Sequence, residues 1–142
     1  MKRNLSLTAL AITVGLTASS QKIKESEVPN PVKVTFAKLY PGSTPKWEKE
    51  GTNYEAGFKK EGKSMSVVIQ PNGTMTESEL SIKAEELPSA VLAYLKANYR
   101  DKKIKETAKI TKADGTVNYE AEIEGKDVIF DKDGKFIKEI KD

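Results

Sequence analysis

Asn53-Tyr54-Glu55-Ala56-Gly57-Phe58-Lys59 and Asn118-Tyr119-Glu120-Ala121-Glu122-Ile123-Glu124 are the two stretches on which the fold of this chain turns. Their first four residues are identical, and both alternate. In the first, Tyr54, Ala56 and Phe58 are separated by Glu55, Gly57 and Lys59. In the second, Tyr119, Ala121 and Ile123 are separated by Glu120, Glu122 and Glu124. Side chains along a strand point to opposite faces in turn, so each stretch predicts a strand with one apolar and one charged face. Antiparallel sheets with helices on one side and water on the other have this pattern.

Working outward, the same features flank both stretches in the same order. Val28-Pro29 precedes the first and Leu87-Pro88 the second. Each is followed by an apolar run, Val67-Val68-Ile69 or Val128-Ile129-Phe130, then by Asn72-Gly73 or Asp133-Gly134 and a last polar strand. Each half also opens with a helix. In the first, Asn30 is the expected N-cap with Pro31 at the first helical position, where a missing N–H costs nothing. Val32, Phe36, Leu39 and Tyr40 then share a face, and Pro41-Gly42 ends the helix. In the second, the helix spans about Pro88 to Tyr99, with Val91, Leu92, Leu95 and Tyr99 on its buried stripe. Stripes this narrow need a sheet beneath them.

The predicted fold class is therefore α+β, with two tandem helix-plus-four-strand repeats and the helices on one face of an antiparallel sheet. Residues 28–82 and 85–141 are the expected repeats within a domain spanning 28–142. Residues 1–20 are expected as a signal peptide and 21–27 as a linker. Asn72-Gly73 and Asp133-Gly134 read as type I′ hairpin turns, whose central residues both need positive φ. Glu50-Gly51, Glu61-Gly62, Asp114-Gly115 and Glu124-Gly125 are weaker turn signals.

Composition excludes several chemistries. The 142 residues are 37% hydrophobic and 32% charged, enough for one domain with a modest core. Without Lys2 and Arg3 the 24 basic residues fall to 22 against 21 acidic, a balance of +1. Lysines and glutamates are interspersed, so no basic face for nucleic acid is expected. There is no cysteine and no histidine. That removes disulfides, thiol chemistry, a cysteine-borne lipid anchor, the commonest metal ligand and the usual general base. No cofactor is expected.

Met1-Lys2-Arg3-Asn4 is a short basic start, and Leu5 to Ala18 follows without a charge. Such a run suits a signal-peptide core and falls short of the roughly 20 apolar residues a membrane span requires. Ala18 and Ser20 supply the small residues that signal peptidase reads, which places cleavage before Gln21. The expected location is the periplasm, with no stable membrane insertion after cleavage.

Leu39-Tyr40-Pro41-Gly42, Trp47-Glu48-Lys49-Glu50, Tyr54-Glu55-Ala56 and a hairpin glycine, in that order, resemble the PepSY-like family. Leu87-Pro88 and Phe130-Asp131-Lys132-Asp133-Gly134 extend the resemblance through the second half, from about Val28 to Ile140. One departure is Tyr99-Arg100-Asp101 where the first half has Tyr40-Pro41-Gly42. Members of this family are exported proteins, many from Gram-negative gut bacteria, and are also described as β-lactamase-inhibitor-like. The resemblance implies two helix-plus-four-strand units, an open sheet face that is often concave, and a binding or inhibitory role in the periplasm.

Four local patterns suggest chemistry and each has a plainer reading. Glu120, Glu122 and Glu124 are spaced at roughly 7 Å along one strand face, a separation that would suit an inverting glycosidase. No apolar cover is visible that would raise one carboxyl, so a solvated face paired with lysines is the stronger reading. Ser43-Thr44-Pro45-Lys46 has the S-x-x-K spacing of serine acyl-transfer enzymes but follows a helix stop and lacks the partner motifs. Asp131-Lys132-Asp133-Gly134 hints at a calcium loop, yet the position that must be glycine in an EF-hand is Phe136. A hairpin turn accounts for it. Trp47 is expected to cover the helix–sheet core, with a binding hot spot as the alternative. These readings leave no catalytic residue and no metal site.

The expected function is a non-enzymatic periplasmic binding module, including an inhibitor or modulator of an envelope enzyme. Its site would be the open sheet face: Glu55, Lys59, Asn118, Glu120, Glu122 and Glu124. The partner would be a protein or peptide and the chain a monomer. The alternative is a self-assembling structural or stress protein of the envelope.

Overall fold

The computed structural model describes residues 20–141, so the leader expected over residues 1–20 lies almost wholly outside the described residues. The chain comprises two compact units, meeting at Thr76 and Glu77. Among the described residues there are nine strands and two α-helices.

In the first unit, β1 (Gln21–Ile23), α1 (Asn30–Leu39), β2 (Lys46–Glu50), β3 (Asn53–Lys60) and β4 (Lys63–Ile69) follow one another, and β5 (Met75–Ser81) begins. β1 to β4 pair antiparallel in chain order. Ile23 stands opposite Trp47, Trp47 opposite Ala56, and Ala56 opposite Val67. Alternation puts that row on the helix side. There Val28, Val32 and Phe36 close over Trp47, Tyr54, Ala56, Phe58, Val67 and Ile69. Each Val, Ile or Phe among them, once buried, contributes roughly 1.5–3 kcal/mol.

The second unit contains the rest of β5, then α2 (Ser89–Asn98), β6 (Ile104–Lys112), β7 (Val117–Ile123), β8 (Lys126–Asp131) and β9 (Phe136–Lys141). β5 to β9 pair antiparallel in chain order. Leu87, Val91 and Leu95 cover Ala121, Ile123, Val128 and Phe130, with Tyr119 packed alongside. The strand parity expected for Tyr54, Ala56 and Phe58, and for Tyr119, Ala121 and Ile123, is the parity found.

Several expectations need correcting. Residues 21–27 are not a linker: Gln21–Ile23 is a strand and Glu25–Glu27 a 3-10 turn. The Glu27 carboxylate accepts the Lys24 N–H at 2.7 Å. In the second unit Ala84–Glu86 is a 3-10 turn too, and Glu86 accepts the Lys83 N–H at 2.6 Å. Asn30 is the first helical residue, not the cap, which is Pro29. A proline before the helix holds the extended backbone that a cap requires without a side-chain bond. Leu39 and Leu92, expected on the buried stripes, are 43% and 36% exposed. A helix of ten residues over a narrow seam buries little more than positions four apart, here Val32 with Phe36 and Val91 with Leu95.

The turn assignment is reversed. Asn72 and Asp133 keep negative φ, and only Gly73 (+91°) and Gly134 (+85°) are left-handed. Each closes a loop in which the glycine N–H donates three residues back, to Gln70 or Asp131. Pro71 presets the first turn residue near −65°, which excludes a type I′ turn there. The turns with positive φ at both central residues are Glu61-Gly62 and Glu124-Gly125. Asp101, at φ +62°, follows the α2 terminus as Gly42, at +83°, follows that of α1. Aspartate tolerates this region at a cost that glycine avoids. Asp101→Gly is therefore expected to raise stability by about 0.5–1 kcal/mol, measured as a higher urea midpoint with unchanged slope.

Candidate functional site

The residues opposite the helices form the candidate site, taken unit by unit. In the first, Glu55 stands between Glu48 on β2 and Val68 on β4. In the second, Glu120 stands between Ala108 on β6 and Ile129 on β8. That row is flanked on one side by Glu106, Glu122 and Asp127 and on the other by Glu79, Ile110 and Asn118.

This face is not the uniformly wet one expected. Glu55 is 2% exposed, Glu120 6% and Asn118 9%. Val68, Ile110, Ile129 and Asp127 are buried as well. The apolar runs gave the missed signal: Val67-Val68-Ile69 and Val128-Ile129-Phe130 do not alternate, as strands covered on both faces do not. Each run therefore sends one branched side chain to the far side, where it sits opposite a carboxylate.

The other expected site residues are more open. Lys59 is exposed near the end of β3. Glu122 is partly exposed and takes the Lys105 ammonium at 3.0 Å. Lys105 lies at a register irregularity between Ile104 and Glu106, a local break that re-aims side chains. Glu124 does not belong to the strand face. It occupies the β7–β8 turn with φ +52° and pairs with Lys102 at 2.9 Å.

Two carboxyls on this face are held above the ordinary glutamate range. For Glu106 burial is the main cause, the Glu122 charge adds to it, and Lys105 opposes. For Glu77 burial raises it and Lys112 pulls it back. Such a carboxyl favours folding while protonated. Its contribution is full below the unfolded value and is lost as pH rises through the raised folded value. Glu106→Gln, neutral throughout, is expected to flatten that segment of the stability curve. Urea midpoints from about pH 4 to 7 test this, and an unchanged slope would contradict it.

The remaining motifs have structural roles. Ser43 donates its N–H to the Tyr40 carbonyl in the loop after α1, while Lys46 is an exposed residue opening β2. Asp131 accepts the N–H groups of Asp133 and Lys135, both at 2.9 Å, and so pins the β8–β9 turn. Among the described residues no group of three or more acidic side chains is placed to hold a metal ion. Trp47 is 5% exposed, edge-on to Phe36 at 5.6 Å, and belongs to the core. Its emission is expected well to the blue of free indole, and unshifted emission would contradict that burial.

This is the fold of β-lactamase-inhibitor-like proteins, and solved structures with it are similar to this chain. One is a BLIP-like protein from Bacteroides fragilis, 25% identical, with a TM-score of 0.65 over 78% of this chain and 84% of that one. A protein from Bacteroides eggerthii, provisionally described as periplasmic, gives 0.73 at 16% identity over 79% and 87%. A DUF2874 family protein from Bacteroides uniformis gives 0.71 at 18% identity over 78% and 87%. No curated protein matches the chain. The chain belongs to the PepSY-like family, described provisionally as β-lactamase-inhibitor-like, which it matches over residues 16–77 and again over 72–138.

Proposed function

We propose that this chain is a non-enzymatic binding module of the periplasm, built on a duplicated helix-plus-four-strand unit with repeats near 28–82 and 85–141. Its recognition surface is the sheet face opposite the helices. The observation that carries this reading lies in the second unit. Buried Ile110 and Ile129 sit amid Glu77, Glu79, Glu106 and Glu122, all partly or fully exposed. Accessible charges fixed on a rigid sheet above an apolar floor provide the charge complementarity that selects a protein or peptide partner. Lys105, Lys112 and Lys138 share this face with the four carboxylates, so its charges are mixed and favour a protein or peptide segment that carries both signs. Inhibition or modulation of an envelope enzyme is a role such a surface can serve. Export is supported by the leader sequence and by the relative described as periplasmic. No helix among the described residues is long and apolar enough to cross a membrane.

Affinity capture from an envelope extract, with the chain from Gln21 onward as bait, tests the proposal. Glu106→Lys with Glu122→Lys is expected to cut capture at least tenfold, about 1.4 kcal/mol or more, while the protein stays folded. Undiminished capture would remove this face from the mechanism. Glu55 and Glu120 are unsuitable for that test, because reversing charge at buried positions lowers stability directly.

Self-assembly is the second reading, favoured by Phe136 and Ile137, which are 37% and 48% exposed on β9. Two-fold antiparallel pairing of β9 with itself sets residues of equal parity opposite each other. The longest such overlaps centre on Lys138 or Glu139 and place like charges face to face. A monomer is the expected state, and an elution volume on size exclusion that shifts with concentration would favour assembly.

A further inference from the structure

We propose that Gln21 is a modification site, at which the N-terminal glutamine released by leader cleavage closes on itself to form pyroglutamate. This rests on the export reading above, and specifically on cleavage between Ser20 and Gln21. β1 begins at Gln21, so a cut there leaves the strand whole. The α-amine attacks the δ-carbonyl of its own side chain. A bond forms between Nα and Cδ, the bond between Cδ and Nε2 breaks, and the amide nitrogen leaves as ammonia. The ring has five members, and the step needs no oxidant, metal or second substrate.

The surroundings of Gln21 suit the reaction and its product. Gln21 is exposed, so neither the departing ammonia nor the new ring meets an obstacle. Its cross-strand partner is Lys49, whose ammonium lies 5.9 Å from the Tyr54 ring centroid, and Lys22 follows in the chain. Glu48, opposite Lys22, accepts the Ser20 hydroxyl, so a carboxylate borders the position of the new amine and can take the proton that the amine gives up on attack. The lactam carries no charge, and its ring replaces a flexible side chain at the exposed end of the strand.

The product also protects the fold. β1 has three residues and, among the described residues, pairs with β2 alone, so its free end is the kind of terminus that frays and is trimmed. Loss of three residues would remove Ile23 from its place opposite Trp47. A lactam denies aminopeptidases the free amine they require.

The test is mass spectrometry of the mature protein purified from the envelope of the organism that makes it. The expected N-terminal peptide starts at residue 21 and is lighter than the unmodified peptide by one ammonia. The Gln21→Ala variant is expected to start at the same residue with its full mass. A wild-type peptide starting at residue 21 with a free amine would overturn the proposal and leave export standing. Any other first residue would overturn the proposal together with the cleavage site, and a mature chain that starts at Met1 would overturn export as well. Under aminopeptidase, Gln21→Ala is expected to lose β1 and shift Trp47 emission to the red, whereas the wild type holds. Equal trimming of the two would refute the protective role.

Discussion

Phe36→Ala is expected to lower the stability of the first unit by about 4 kcal/mol, within the range of large-to-small core changes. Phe36 is 3% exposed at the centre of an aromatic cluster, with ring centroids 5.2 Å from Phe58, 5.6 Å from Trp47 and 5.7 Å from Tyr40. Two of these contacts are edge-on, the arrangement that ring quadrupoles favour. Alanine would remove three ring contacts at once and leave a void that α1, only ten residues long, cannot fill by sliding. Leu39→Ala, one turn along the same helix and 43% exposed, is expected to cost less than about 1 kcal/mol. Urea denaturation followed by circular dichroism compares the two. Trp47 emission should move to the red in native buffer for Phe36→Ala only. Equal losses for both variants would mean that the buried face of α1 is wrongly assigned.

The contrast between Phe36 and Leu39 shows where sequence pattern is sufficient and where it stops. Strand faces were legible at Tyr54-Glu55-Ala56 and Tyr119-Glu120-Ala121, because a period of two leaves one choice of inward set. Helix faces were legible at Val32 and Phe36 but not at Leu39. Periodicity places residues on a stripe; the stripe's width depends on how much sheet lies beneath, which is a tertiary fact. The turn at Gln70–Gly73 was misread because Asn-Gly is the common type I′ pair, while the proline before it enforces the other geometry.

The candidate site was half legible for a related reason. Glu55, Glu120 and Glu122 were placed on the correct side of their strands, yet their exposure was not. Exposure of a sheet face is decided by neighbours on other strands, and Val68 and Ile129 are distant in sequence from Glu55 and Glu120. The cue was local to those neighbours: three consecutive apolar residues in β4 and in β8 cannot all point one way. Lys105 was beyond sequence reasoning altogether. Only a register irregularity in β6 brings its ammonium to Glu122.

Gly134→Ala should be the most damaging glycine-to-alanine change in the second unit. Gly134 has φ +85°, a region where a non-glycine residue costs of order 1–3 kcal/mol. The added Cβ would lie 2.8 Å from the Ala90 Cβ and 3.1 Å from the Val91 backbone nitrogen, closer than van der Waals contact allows. Neither neighbour is a flexible side-chain end, so the β8–β9 turn must lift from the first turn of α2. Strain and overpacking together predict a loss of about 3 kcal/mol. Lifting the turn also disturbs Phe136, whose ring stacks on Tyr94 at 5.1 Å. Gly125→Ala separates the two causes, because Gly125 has φ +71° and open space around its missing Cβ. It carries the backbone strain alone and is expected to cost about 1 kcal/mol. Gly73→Ala, where a Cβ would meet the Pro31 carbonyl oxygen and Thr35 Oγ1 at 3.0 Å, should fall between them. Thermal melts of the three variants therefore rank Gly134, Gly73, Gly125. Should Gly125→Ala prove as damaging as Gly134→Ala, the close seat of the hairpin on α2 would contribute nothing, and positive φ alone would set the cost.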